Sequence, residues 1–275
     1  MSHSVAMALA PVQSTAFSPE EVRRFRSDGF IIARGLADPA TCSRLRAVIS
    51  DHLAREVAPA EYEAQLHYPG APESMDAPGG HTIRRLLQAY GRAAVFREWA
   101  TSPLLARRLR QLIGSRVMLA QAHHNCVMTK QPSYSSLTGW HQDIRYWSFE
   151  RPELISVWVA LGREHVENGC LLVLPGSHKL DLTAERLDQA LFLRADQPDN
   201  RGLITTCITP LLEPGDVVFF HCRTFHAADA NHTGQTKLSL VFTYHAADNR
   251  PLPGTRSASL PAVLLTESER QEAGS

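Results

Sequence analysis

The stretch Trp140-His141-Gln142-Asp143-Ile144 decides how this chain is read. A histidine and an aspartate two residues apart, at the end of a strand, project to the same face of it. One neutral imidazole and one carboxylate on one face are two of the three ligands of a 2-His-1-carboxylate facial triad, the arrangement used by non-haem Fe(II) oxygenases. In a chain with 13 histidines the tripeptide alone is a common spacing. Its meaning depends on a second histidine that the fold brings alongside.

Downstream, two histidines compete for that place. His221 and His226 both follow the turn Pro214-Gly215-Asp216 and the apolar run Val217-Val218-Phe219-Phe220. At an offset of five they cannot share one face of a straight strand. A loop at Cys222–Thr224 is expected between them, with His226, flanked by Phe225 and Ala227, as the inward one and His221 as a strand-end residue. Past the polar turn 231–235, the strand Thr236–Tyr244 is expected to pair antiparallel with the strand of His226. Its first inward basic residue is Lys237, eleven after His226. That lysine is either an ordinary strand-end cation or the holder of a carboxylate near the metal.

Around this centre the sequence punctuates short strands. Val117–Met128 is a long β run, Leu154–Leu161 is a strand that either alternates or is buried, and Asn168-Gly169 is a hairpin-type turn before Cys170–Leu174. Pro175-Gly176 marks another turn. Short strands with such turns predict a β-sandwich or barrel. The mostly polar insert 181–203 is expected outside the sheets. Upstream, Ser18-Pro19-Glu20-Glu21 starts a helix by a capping box, Asp28-Gly29 stops it, and Phe30–Ala33 is a strand. Asp38-Pro39 opens a second helix, 57–80 is a long proline- and glycine-rich loop and a lid candidate, and helices return over 82–100 and 103–113. The organisation expected is a loose leader (1–17), one domain over 18–250 with a mostly helical part (18–115) and a β core (116–250), and a surface tail (251–275).

Bulk composition narrows the partners. The 275 residues carry 28 Lys+Arg against 28 Asp+Glu, so no global field recruits nucleic acid or an acidic membrane. Five scattered cysteines without a C-x-x-C pair fit free thiols in a reducing compartment. No apolar run reaches transmembrane length, and Met1–Ala10 lacks a basic n-region. A soluble, cytoplasmic protein acting on a small molecule is expected.

The ordered set Thr129-Lys130-Gln131-Pro132, Trp140-His141-Gln142-Asp143, Trp158, Glu167-Asn168-Gly169-Cys170-Leu171, Leu174-Pro175-Gly176-Ser177-His178, Pro214-Gly215-Asp216 and His226 resembles the phytanoyl-CoA dioxygenase family of Fe(II)/2-oxoglutarate oxygenases. The likeness spans roughly residues 18–247. It implies a mainly β protein with flanking helices, a double-stranded β-helix of the jelly-roll, cupin-like kind. It also implies iron held by His141, Asp143 and His226, with 2-oxoglutarate and O₂ as cosubstrates. By the same resemblance Lys237 would hold the distal carboxylate of 2-oxoglutarate, Trp158 would lie beside it, and Cys126 would occupy a strand position that contacts it. A basic residue on a preceding helix falls at Arg85, or at Arg84 in a register shifted by one. His124 would line the pocket, and Gln142 is counted with the cosubstrate residues.

Two departures from the family pattern stand out. Relatives place arginine where this chain has Lys237, and a lysine offers a point charge without a planar fork. The family's serine two after the distal histidine is Ala228. The resemblance implies hydroxylation of an aliphatic C–H with release of succinate and CO₂; Asp143 sets the chain apart from related halogenases, which lack that carboxylate. Acyl-CoA thioesters, amino-acid-like compatible solutes and natural-product intermediates are all substrates within the family. Trp140, Tyr146, Trp147 and Phe149 are expected as an apolar wall beside the metal, with Arg145 available to an acidic group. A cupin-like metal-dependent hydrolase or isomerase using the same three residues is the alternative.

Overall fold

The computed structural model describes residues 14–114 and 116–266. Helix α1 (Pro19–Asp28) begins as its capping box requires, with Ser18 and Glu21 satisfying each other's backbone N–H groups. Gly29, in the left-handed conformation, ends it and delivers the chain to β1 (Phe30–Ala33). Helix α2 (Pro39–Ala54) is capped by Asp38. The expected loop 57–80 starts instead with a strand, β2 (Ala60–Tyr62), followed by a 3₁₀ turn at Glu63–Gln65.

The helix expected over 82–100 is replaced at its start by β3 (Ile83–Leu87). This segment pairs β2 on one side and a core strand on the other, and sheet hydrogen bonding overrides its helix propensity. Helices then run as α3 (Ala89–Arg92), α4 (Ala94–Ala100) and α5 (Pro103–Ile113). The long run expected over 117–128 is broken into β4 (Val117–Leu119) and β5 (Asn125–Lys130). β6 (Thr138–His141), β7 (Leu154–Ala160) and β8 (Leu171–Val173) follow. Then come α6 (Pro198–Ile204), β9 (Val217–His221), β10 (His226–Ala228), β11 (Lys237–Ala246) and β12 (Val263–Leu264).

Two antiparallel sheets make a jelly roll. The large sheet runs β1-β9-β7-β11-β5-β3-β2, with β4 on β11 and β12 on β4; the small one is β6-β10-β8. The strand of Lys237 therefore pairs β4, β5 and β7, and not the strand of His226 as expected. The outer face of the large sheet packs against the helices through Leu45, Ile49, Phe96, Leu105, Leu109, Phe219 and Phe242. Its inner face, with Trp158, Val218, Phe220 and Val241, meets Leu171 and Val173 of the small sheet. This alternation of faces along each strand is what leaves polar side chains inside one end of the roll.

The expected tail is not a free one over 251–266. Leu265 is buried, Ser257 is buried, and β12 pairs β4. The leader shows the same tendency where it is described: Phe17 lies edge-on to Phe219 in the core. Residues 1–13 and 267–275 lie outside the described residues. All five cysteines are free. No helix among the described residues is long and apolar enough to cross a membrane.

Gly169 shows how tightly the roll is closed. Its φ is +70°, and a Cβ there would meet the carbonyl oxygen of Asp229 at 2.3 Å. Substituting Gly169→Ala is expected to cost about 1–3 kcal/mol, through both the left-handed backbone and the clash. Urea denaturation would show this as a lower midpoint at unchanged slope.

Candidate metal centre and cosubstrate cavity

Register builds the centre. On the small sheet, His226 of β10 lies directly opposite His141 of β6. Cross-strand partners share a face, and the two rings stand 4.2 Å apart centroid to centroid. Gln142 is still extended, after which the chain tightens into a 3₁₀ turn at Asp143–Tyr146. Asp143 thus stands at the start of a turn, two residues past the strand end, and is 2% exposed. One ligand atom from each of His141, Asp143 and His226 lies within 4.8 Å of the others.

The outer atoms of all three are tied. The Nδ1 of His141 donates to the Gly139 carbonyl (2.9 Å), and the Nδ1 of His226 to that of Thr224 (3.1 Å). Each bond fixes the tautomer that turns the Nε2 lone pair inward. Burial, reinforced by His226, pushes the His141 imidazole well below its ordinary pKa, so it stays neutral, the form that binds a metal. The Oδ2 of Asp143 accepts from the Ser156 hydroxyl at 2.7 Å, leaving Oδ1 facing the histidines at 3.6 Å from His226 and 4.0 Å from His141. Two imidazoles and a carboxylate with preset outer hydrogen bonds fit an octahedral first-row metal. His221, the other candidate, faces away and stacks loosely on His178 at 5.4 Å.

A cavity beside the centre is lined by Arg84, Arg85, His124, Met128, Lys130, Trp158, Lys237 and the two histidines, among others. Lys237 is buried, not an exposed strand-end residue; its Nζ lies 3.4 Å from Glu164 and 5.0 Å from the Trp158 ring centre. Glu164 also accepts from the Trp158 indole (2.9 Å) and from Ser239 (2.6 Å). Arg85 reaches the cavity from strand β3, not from a helix, and pairs with Glu61 at 3.2 Å. Arg84 is turned to a buried pair with Glu63 and bonds Ser136 and Thr138.

The Nε2 of His124 lies 3.5 Å from Oδ1 of Asp143, and burial holds its pKa at about 4. Cys126 sits behind Met128, which takes the cavity-lining position, and burial raises its thiol to about 11. Gln142 points elsewhere: its amide donates to the Arg223 carbonyl at 2.5 Å. A wider polar cleft bounded by Leu53, Asp76, Gly80 and His81 holds none of these ligands.

The expected aromatic wall is half core. Trp147 and Phe149 are buried against Leu154 and Cys222, and Trp140 packs toward Leu174 and Leu193. The insert 181–203 contributes no strand to either sheet, and it lays Phe192 against His141 at 5.8 Å. Arg145 stacks between Phe192 (3.9 Å) and Tyr146 (4.4 Å), and Tyr68 meets Phe192 edge-on. Glu164, Lys130, Phe192 and Ser156 escaped sequence reasoning. Of these, Lys130 stood in the run 129–132 without a role, and its even spacing from Cys126 and Met128 along β5 could have assigned it to the cavity face.

A jelly roll with a buried His/Asp/His centre at one end of its small sheet defines the class of non-haem iron, 2-oxoglutarate-dependent oxygenases. The family model for "Phytanoyl-CoA dioxygenase (PhyH)" matches residues 25–239, and the chain belongs to that family. A probable phytanoyl-CoA dioxygenase of Caenorhabditis elegans is 25% identical over 80% of this chain and 73% of its own length. An ectoine dioxygenase of Bordetella bronchiseptica is 24% identical over 85% and 77%. Among solved structures, EctD from S. alaskensis with 2-oxoglutarate and 5-hydroxyectoine superposes with a TM-score of 0.72 at 23% identity, covering 91% of this chain and 82% of its own. The carbocyclase SnoK from nogalamycin biosynthesis gives 0.70 at 22%, covering 91% and 97%. The chain is a 2-oxoglutarate-dependent non-haem iron dioxygenase, with Fe(II), 2-oxoglutarate and O₂ as its cofactor and cosubstrates.

Ser156 offers a clean test of the outer hydrogen bonds. Ser156→Ala frees Oδ2 of Asp143 and is expected to weaken Fe(II) affinity by roughly 10–100-fold while the fold persists. Metal titration with a competing chelator measures it.

Proposed function

We propose that the chain hydroxylates an aliphatic C–H of a small molecule, with His141, Asp143 and His226 holding the iron. The supporting observation is the buried cluster itself, three inward ligand atoms whose outer partners are already satisfied. Bound there, Fe(II) supplies O₂ activation coupled to decarboxylation of 2-oxoglutarate to succinate and CO₂. The chain's own residues bind, orient and exclude water. Lys237 and Trp158 form the floor where the distal carboxylate of the cosubstrate rests, with Glu164 holding both side chains in place. Arg85 and His124 frame the opposite wall.

The substrate enters past Tyr68, Phe192, Tyr146 and Arg145. Phe192 lies against His141, and Tyr68 and Arg145 pack on Phe192 in turn; keeping water from the centre there strengthens the electrostatic contacts inside. Their flat, mostly apolar surfaces suit a substrate with an apolar face better than a fully hydrated one. A carbocyclase shares this fold, so the outcome of the reaction is tested directly: ¹⁸O from ¹⁸O₂ should appear in the product, and a ring-closed or epimerised product without label would overturn hydroxylation. The cupin-like hydrolase alternative predicts turnover without succinate.

Asp143→Ala is expected to abolish succinate formation and product together, with the circular dichroism spectrum unchanged; full activity in that variant removes the assignment of the iron ligands. Lys237→Met is expected to raise the 2-oxoglutarate KM at least tenfold, about 1.4 kcal/mol of binding. An unchanged KM would assign the distal carboxylate to other groups.

A further inference from the structure

Four cationic side chains line the cavity beside the histidines: Arg84, Arg85, Lys130 and Lys237. Three carry their own counterion, with Arg84 on Glu63 at 3.1 Å, Arg85 on Glu61 at 3.2 Å and Lys237 on Glu164 at 3.4 Å. Among the described residues Lys130 has no carboxylate at ion-pair distance. Its Nζ donates to the Ser136 carbonyl at 2.8 Å, and the residue is 7% exposed. A buried ammonium with only a neutral acceptor is costly, and such a group is retained where a ligand or partner completes it.

Placement says which ligand. Lys130 closes β5 directly opposite Lys237, the first residue of β11. Residues opposite each other in an antiparallel pair share a face, so both ammonium groups enter the cavity from adjacent strands. The Lys130 stem is packed against Gly169, where an added Cβ would meet its Cδ at 2.7 Å, so its direction is set. Lys237 alone is a weak anchor, because Glu164 already neutralises it.

We propose that Lys130 is a second anchor for the distal carboxylate of the 2-oxo acid, supplying the positive charge that Glu164 cancels on Lys237. The inference rests on the reading of this cavity as the cosubstrate site. Two point charges from two strands then stand in for the single planar fork of an arginine.

The charged groups facing Lys130 are Lys237 on β11, Arg84 on β3, Glu63 in the turn after β2 and Asp229 after β10, with Glu164 behind Lys237. Burial, then repulsion by Lys237, brings the Lys130 ammonium down to about 7. Without ligand it is therefore largely neutral at pH 8. An incoming carboxylate favours the charged form and raises that pKa, so binding takes up a proton. The uptake should be most of a proton at pH 8 and should fade as the pH drops below 6.

The test titrates the full-length, anaerobic Fe(II) protein with 2-oxoglutarate at pH 8 by calorimetry, in two buffers of different ionisation enthalpy. The visible charge-transfer band of the chelated 2-oxo acid is recorded in parallel. The control ligand is 2-oxopentanoate, which has the same chelating end and no distal carboxylate. The parent protein should take up a proton with 2-oxoglutarate and none with 2-oxopentanoate. Lys130→Met should lose the uptake and raise Kd at least tenfold while the unliganded protein keeps its thermal midpoint, because the lysine is largely neutral there at this pH. Lys130→Arg should keep Kd within about threefold yet take up no proton, since its guanidinium is always charged. If the band forms, no proton is taken up and Lys130→Met binds as the parent does, this proposal is overturned while the cosubstrate reading stands. If 2-oxoglutarate produces neither band nor heat, the cosubstrate reading itself falls. Should Lys130→Met fail to fold, the parent's proton uptake with the two ligands decides the matter alone.

Discussion

The antiparallel register that sets His226 of the tenth strand against His141 of the sixth is the constraint on which everything else depends. Side chains alternate along a strand, so a slip of one residue would turn one histidine out of the roll and leave the other without a partner. The small sheet that carries this register has only three strands, of three or four residues each, and so few ladder bonds to fix it. Its register is pinned from outside. Arg84 grips Ser136 and Thr138 at the entry to the sixth strand, and Gln142 at its exit is tied to the Arg223 carbonyl in the loop before the tenth. Asp143 then joins the two sheets through Ser156 of the large one. The three candidate metal ligands are positioned by the roll as a whole.

Charge is managed by the same logic. The cavity concentrates cations at one end of the roll, where burial makes each costly unless paired. Glu61, Glu63 and Glu164 are placed inside to meet three of them. Glu164 does more than neutralise, since it also receives the Trp158 indole and the Ser239 hydroxyl. One buried carboxylate therefore orients both the aromatic wall and the lysine of the site. A dianionic cosubstrate entering such a place meets a field already partly satisfied, and its affinity depends on whatever positive charge is left over.

Much of this was legible in the sequence, because the decisive signals are local. The capping box at Ser18 and Glu21, the start at Asp38-Pro39 and the apolar run of the seventh strand each fix their element through neighbours in the chain. The structure brings His141, Asp143 and His226 together, and their spacing and flanking strands are the local marks that singled them out. What was missed depends on partners far away in sequence. Residues 83–87 contain two arginines and read as helical, and only pairing with residues 126–128 makes them a strand. Glu164 lies past the seventh strand in an isolated bridge with Leu212, with nothing nearby in sequence to mark it, and its role exists only through Trp158, Ser239 and Lys237 converging on it. The Lys237 strand was assigned the wrong neighbour because a jelly roll sends consecutive strands to opposite sheets, so adjacency in sequence misleads.

The insert 181–203 shows why polarity along the chain is a poor guide to position. Most of its residues do face water, yet Phe192 and Leu193 turn inward, and the Leu193 N–H donates to the Trp140 carbonyl beside the metal strand at 2.8 Å. Phe192 covers His141, and Arg145 closes the gap by stacking on Phe192 while donating to the Ala190 carbonyl. Tyr68, from a different loop, completes the contact. Segments far apart in sequence thus meet over the first metal ligand through aromatic faces, with no ion pair among those contacts. Aromatic and cation–π contacts of this kind contribute about 0.5–1.5 kcal/mol each at partly exposed sites. A mouth held by a few such contacts opens at modest cost, while the floor beneath it, fixed by buried ion pairs and sheet hydrogen bonds, stays put. The end of the cavity beside Lys237 is accordingly held by ion pairs and sheet hydrogen bonds, and the end beneath Phe192 by aromatic contacts alone.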